Sequence, residues 1–206
     1  MLEDLIEHKL EKLKNYQKKS NPYPSDVERD YSLEELRDSF DSLIEKDDFY
    51  IAGRITAIRD QGKIVFVDID DGTSEIQIVL KAEEAKDFEF IKESWDKGDF
   101  IQVYGSPFRT NRGEESVLGK EVKIISKSLR PWPSSWYGLQ DKEKRMRHRY
   151  MDLFLNEEAR EVIETRFEIT SKLRSILERD DFKKVETPIL QPIPGGATAK
   201  PFQTHF

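Results

Sequence analysis

The side chains able to do chemistry are few, and their types exclude more reactions than they allow. Three histidines, His8, His148 and His205, are scattered along the chain. None stands near a serine and an acid in triad fashion, and they do not group for a metal. Without cysteine there is no thiol nucleophile, no thiolate metal site and no disulfide framework. The phosphate loops GxxxxGK(S/T) and GxGxxG are both missing, and Gly195-Gly196 alone is a turn signal more than a ligand loop. What stands out is a cation, an aromatic and an amide on three neighbouring extended runs: Arg59, Phe66 and Gln77. A reader of single-stranded nucleic acid needs an aromatic face for stacking and polar groups for base edges or phosphates. Gln77 interrupts the apolar run Ile76, Ile78 and Val79, where packing alone has no use for an amide. On pattern alone, Phe66 fits a core position as well as a stacking platform. A second candidate is the most basic stretch, where Lys142, Lys144, Arg145, Arg147 and Arg149 face Glu143 alone. It reads either as a solvated helix face or as a surface for phosphates.

The elements that must position these residues follow from periodicity. Leu2, Leu5, Ile6, Leu10, Leu13 and Tyr16 form one helical stripe, which Asn21-Pro22-Tyr23-Pro24 stops. Ser32-Leu33-Glu34-Glu35 is a capping box opening a second helix. From Phe49 the period becomes two. Extended runs at 49–59, 63–70 and 74–81 are broken by Gly62 and by Asp71-Gly72. A helix is expected over 82–95, then extended runs at 100–109 and 116–126. Three strands, a helix and two strands is the layout of the OB-fold, a small barrel used for oligonucleotides. Beyond a stiff Pro-rich stretch at 130–135, Asn156 is expected to cap a long helix reaching Arg179, with an extended segment at 182–187 after it.

Composition bounds the class. The 206 residues carry 34 Lys plus Arg against 41 Asp plus Glu, a net charge of −7. That balance argues against indiscriminate nucleic-acid binding and leaves room for a local site. The acidic opening Met1-Leu2-Glu3-Asp4 is unlike a secretory signal, and no apolar run is long enough to span a membrane. A soluble, cytoplasmic protein without a membrane partner is expected.

These residues together resemble the class II lysyl-tRNA synthetases, in their amino-terminal anticodon-binding barrel and the start of the catalytic domain. Gly53-Arg54, Arg59, Gly62-Lys63, Phe66 and Gln77 are similar to the barrel signature. Leu129-Arg130-Pro131 through Gly138-Leu139-Gln140-Asp141 resembles the interdomain linker, and Arg149-Tyr150-Met151-Asp152-Leu153 the entry to the catalytic domain. Val185-Glu186-Thr187-Pro188 resembles the strand of motif 1. The barrel motifs fit aspartyl and asparaginyl relatives too. The loop Pro194-Gly195-Gly196-Ala197-Thr198-Ala199-Lys200-Pro201-Phe202 is similar to the lysyl version. A non-catalytic tRNA-binding OB module is the other alternative.

The resemblance implies an α+β chain: an N-terminal helical segment at 1–48, a five-stranded OB-fold anticodon-binding domain at 49–127, a linker at 128–150 and an incomplete class II catalytic domain at 151–206. Phe66 would stack on an anticodon uridine, Arg59 and Gln77 would read base edges, and Glu114 would contact the first anticodon base. Gly195, Gly196 and Ala197 would line a lysine pocket, and Pro188 would lie in the motif 1 dimer interface. Lysine tRNA, lysine, ATP with Mg2+ and a second copy of the chain are the implied partners of the whole enzyme. Motifs 2 and 3 would lie beyond Phe206, so the chain reads as partial. It is expected to hold no catalytic residue, metal or cofactor and to be inactive alone.

Overall fold

The computed structural model describes residues 2–44, 48–130, 139, 141–190, 202, 204 and 205. The chain divides into two compact units, Met1–Trp132 and Pro133–Phe206.

In the first unit, α1 (Leu2–Gln17) buries Leu13 and Tyr16 and leaves Leu2 and Leu5 exposed. The buried Tyr16 ring stacks on Phe90, and its hydroxyl accepts the Ile124 N–H at 2.9 Å. A charge cluster also ties α1 to the barrel. Lys12 pairs with Asp96 at 2.8 Å, and Lys9 donates to the Ser128 carbonyl at 3.0 Å. Beside them the fully buried Lys127 joins Asp96 at 2.6 Å and Asp99 at 2.7 Å. The expected capping box is formed at α2 (Leu33–Asp38). Ser32 Oγ accepts the Glu35 N–H and the Glu35 carboxylate accepts the Ser32 N–H. The Ser32 N–H and the Ser32 hydroxyl, both donating to that carboxylate at 2.8 Å, hold the Glu35 carboxyl below the usual range. A short α3 (Phe40–Leu43) follows.

The strands β1 (Phe49–Asp60), β2 (Ile64–Asp70), β3 (Glu75–Lys81), β4 (Phe100–Arg109) and β5 (Glu115–Ser126) close into a barrel in the order β1-β2-β3-β5-β4. The β3–β5 contact is parallel and the others are antiparallel. This is the five-stranded OB-fold expected, with N-terminal helices before it. Alternate residues Val65, Val67 and Ile69 on β2 point inward against Ile76, Ile78 and Leu80 of β3. Ile51, Ile55, Ile101, Val103, Val117 and Ile124 complete the interior. At Gly119 a Cβ would strike Leu80 Cδ2 inside the barrel, and at Gly105 it would strike the Leu118 carbonyl oxygen. At Gly105 the strands approach too closely for any side chain, whereas at Gly119 the space is taken by interior side-chain ends.

The helix expected over 82–95 is shorter, α4 (Phe88–Ser94). Two anchors prevent an earlier start: the Ala82 N–H donates to the Lys63 carbonyl, and the Lys86 N–H to Lys120. Asp87 then turns with a φ of 52°, a left-handed conformation in which a right-handed helix cannot propagate.

In the second unit, α5 (Lys142–Arg147), α6 (Arg149–Leu155) and α7 (Glu157–Arg179) follow one another. Asp152, fully buried, accepts Arg145 at 2.5 Å and Arg149 at 2.6 Å. Asn156 precedes α7 as expected, yet its side chain makes no cap. Its Nδ2 instead donates to the buried Asp152 carboxylate, 2.5 Å away, a charge-assisted bond that fixes the amide toward α6. Residues 182–187 form no strand pairing among the described residues. Val162, Phe167, Ile169, Leu173, Ile176 and Leu177 on α7 are each at least half exposed. Among the described residues no helix is long and apolar enough to cross a membrane.

Candidate nucleic-acid interface

A β-bulge decides which side chains reach the outer face of the barrel. Along β1, Ile51, Gly53 and Ile55 face inward, so alternation alone would send Arg59 inward too. At Thr56 the register shifts: Ile55 pairs with Ile69, but Ala57 pairs with Asp68. One extra residue reverses the phase. Ile58 then meets the inward Val67, and Arg59 meets Phe66 on the outside. The Thr56 hydroxyl, left over by the bulge, donates to Glu75 at 2.6 Å.

Phe66 is half-buried on that outer face and absent from the core cluster. Its ring lines a cleft of about 690 Å³ with Arg59, Gln61, Gln77, Asn111, Arg112 and Glu114. Arg59 forms a two-pronged pair with Asp68, at 2.7 and 2.9 Å. Gln77, opposite Asp68 on β3, is buried. It accepts from Ser116 Oγ at 3.2 Å and donates to Glu114 at 3.4 Å. Glu114 stands in the β4–β5 hairpin. The Thr110 N–H donates to the Glu114 carbonyl and Gly113 takes a φ of 82°, so the tip is a three-residue loop with glycine in its left-handed position. Glu115 instead pairs with Arg109, its cross-strand partner in the hairpin, at 2.9 Å. Arg59, Phe66, Gln77 and Glu114 are thus brought to one place.

A second cleft, of about 380 Å³, adjoins the first and shares Arg59, Gln77 and Glu114 with it. Asp68, Glu75, Ile76, Glu115 and Arg37 complete its walls. Asp68 was legible in principle, since it lies two residues beyond Phe66 and so on the same face. Arg37 carried no such signal. It arrives from α2, where Nε donates to the Glu75 carbonyl at 2.8 Å. Asp71 holds α2 in that position, accepting the N–H groups of Leu33, Thr73 and Ser74 and pairing with Arg29. Burial pushes the Asp71 carboxyl up, but the Thr73 hydroxyl and these N–H donors outweigh it and hold it below the usual range. Chemically the clefts offer a ring face, guanidinium donors, an amide of both kinds and carboxylate acceptors. They suit a planar group with a mixed hydrogen-bonding edge.

The basic stretch divides differently. Arg145 and Arg149 are occupied by Asp152 and Arg147 by Glu143, which leaves Lys142 and Lys144 with no ion pair among the described residues. Pro188 is exposed. Gly195, Gly196 and Ala197, and the linker residues 131–138, lie outside the described residues. Among those described, no cluster of three or more His, Asp or Glu side chains could hold a metal ion.

Both parts of the chain are similar to known proteins. Residues 49–131 match the model of the OB-fold nucleic acid binding domain, and 141–206 that of the class II tRNA synthetases (D, K and N). A lysine–tRNA ligase of Pelotomaculum thermopropionicum is 42% identical over 207 residues, 99% of this chain and 40% of the relative. Those of Dehalococcoides mccartyi and Carboxydothermus hydrogenoformans are 41% and 42% identical, over 98% and 99% of this chain and 42% of each relative. The chain spans about two fifths of the length of these curated relatives. With the barrel matched by one model, the segment after it by the other, and both by these relatives, the chain belongs to the class II tRNA synthetases of the D, K and N group, and it is similar throughout to lysine–tRNA ligases.

Proposed function

We propose that this chain is the tRNA-reading portion of a lysine–tRNA ligase, a cytoplasmic enzyme that uses ATP and Mg2+ to attach lysine to its tRNA for protein synthesis. The observation that supports this reading best is the convergence of Arg59, Phe66, Gln77 and Glu114 on one outer-face cleft of the barrel. A uridine of the anticodon stacks on Phe66. Arg59 and Gln77 address its edge, and Glu114 accepts from the first anticodon base. Gly195, Gly196 and Ala197 line the lysine pocket in this reading. The small side chains there let backbone approach the substrate. The exposed apolar side of α7, with Pro188 after it, is where a second copy of the chain docks.

Binding of transcripts of lysine tRNA and aspartate tRNA to the 206-residue chain tests this proposal. Tighter binding of lysine tRNA, lost when its anticodon is exchanged for that of aspartate tRNA, is the expected result. Equal binding of the two would overturn it.

A further inference from the structure

We propose that Asp68 is the specificity-determining residue of the cleft: a positioning group that keeps Arg59 reading base edges instead of binding phosphate. The inference rests on the anticodon reading above. Its ground is the two-pronged pair itself, Arg59 Nη1 to Asp68 Oδ2 at 2.7 Å and Nη2 to Oδ1 at 2.9 Å. Both partners stand on the outer face of the barrel beside the stacking ring. Arg59 lies directly opposite Phe66, and Asp68 lies two residues beyond it and opposite Gln77.

A guanidinium has five N–H donors in one plane. Two are occupied by Asp68, and the Arg59 guanidinium makes no other hydrogen bond among the described residues, so three remain to a ligand. Their plane is set by the fork, because a two-pronged contact fixes orientation as well as distance. The pair also balances the charge of a side chain that is 49% exposed. An exposed, unpaired arginine at an RNA site is drawn to any phosphate, whatever the base. Paired, it keeps donors but little net attraction.

The donors then discriminate. At C4 a uridine presents a carbonyl acceptor where cytidine presents an amino donor, and N–H facing N–H is repulsive. A freely turning Arg59 would escape that clash by swinging to the backbone. The pair with Asp68 prevents the escape.

The test uses the full 206-residue chain and two RNA stem-loops, a lysine-tRNA anticodon loop and the same loop with its anticodon uridines changed to cytidines. Affinity is read by fluorescence anisotropy at several salt concentrations. Asp68→Asn keeps the shape and removes the charge. The preference for the uridine loop should shrink about tenfold, chiefly because the cytidine loop binds better. The slope of log affinity against log salt should steepen by about 0.7, one added phosphate contact. Asp68→Glu, which keeps the charge, should retain the wild-type slope. In an Arg59→Ala background Asp68→Asn should alter neither quantity.

An unchanged preference and slope in Asp68→Asn, or the same changes without Arg59, overturns the role of Asp68. If the wild-type chain itself fails to separate the two loops, the anticodon reading falls and this inference with it. Separation by the wild type with equal separation by Asp68→Asn removes only the inference.

Discussion

Phe66 and Val67 are neighbours in sequence and face opposite ways, one toward the cleft and one into the barrel. Truncating the outer residue should therefore act on binding alone. Stacking of a base on an aromatic ring is worth roughly 1–3 kcal/mol, so Phe66→Ala should weaken an anticodon stem-loop about 5- to 150-fold, at ~1.4 kcal/mol per decade. The thermal midpoint should stay within a few degrees of wild type. A large fall in midpoint with unchanged affinity would make Phe66 a packing residue. Gln77 is a different kind of site residue, because both ends of its amide are engaged by Ser116 and Glu114. Its contribution is a preset orientation, since a buried amide without partners would be costly.

At the level of elements, two close approaches and one carboxylate hold the cleft in shape. Gly119→Ala and Gly105→Ala both add a methyl group where none fits, but the obstacles differ. At Gly119 the obstacle is the end of the Leu80 side chain, which can turn aside, whereas at Gly105 it is the backbone oxygen of Leu118. Overpacking of the first kind costs about 1–3 kcal/mol. Gly105→Ala should cost more, and urea unfolding of the two variants would show the order. Asp71 joins α2 to the β2–β3 turn and so keeps Arg37 at the second cleft. Its folded pKa lies below the unfolded value of about 3.9. Its contribution is therefore fully present above that value and lost as pH falls through the lower folded one. Between pH 6 and pH 3, the urea midpoint of the wild type should fall further than that of Asp71→Asn. Parallel pH profiles would show that Asp71 contributes nothing through its charge.

Across the first unit as a whole, α1 is fastened to the barrel by charge as much as by Leu13 and Tyr16. Lys127 and Asp99 are both fully buried, and Lys12 and Asp96 extend the cluster toward solvent. Breaking a buried pair from one side leaves the other charge without compensation, at about 3–5 kcal/mol. Lys127→Met should therefore lower stability by that order, while Lys12→Met, at the more exposed pair, should cost under about 1 kcal/mol. Chemical denaturation followed by tryptophan fluorescence would measure both, with Trp95 lying buried beside the cluster. Similar losses in the two variants would contradict the burial argument.

The elements are readable from the amino-acid order, because hydrophobic period and turn chemistry are local. The Ser32–Glu35 box, the Asp71-Gly72 turn and the alternation along β2 are all legible in a few adjacent residues. The barrel is readable as well, since five short strands with a helix after the third leave few ways to close a sheet. Arg59, Phe66 and Gln77 could be singled out by type and Glu114 only through the family resemblance, but their meeting could not. It takes the folded barrel to show that Thr56 bulges and turns Arg59 outward, that Asp68 is its partner and that Arg37 arrives from α2. The fold also shortened α4, because the N–H groups of Ala82 and Lys86 are drawn to strands distant in sequence. In the same way Arg145 and Arg149, a basic patch on paper, are turned to a buried Asp152. The difference is one of range. Propensity and pattern act over a turn or a pleat. Register, burial and charge pairing depend on which distant residue the closed barrel or the packed helices bring within about 3 Å.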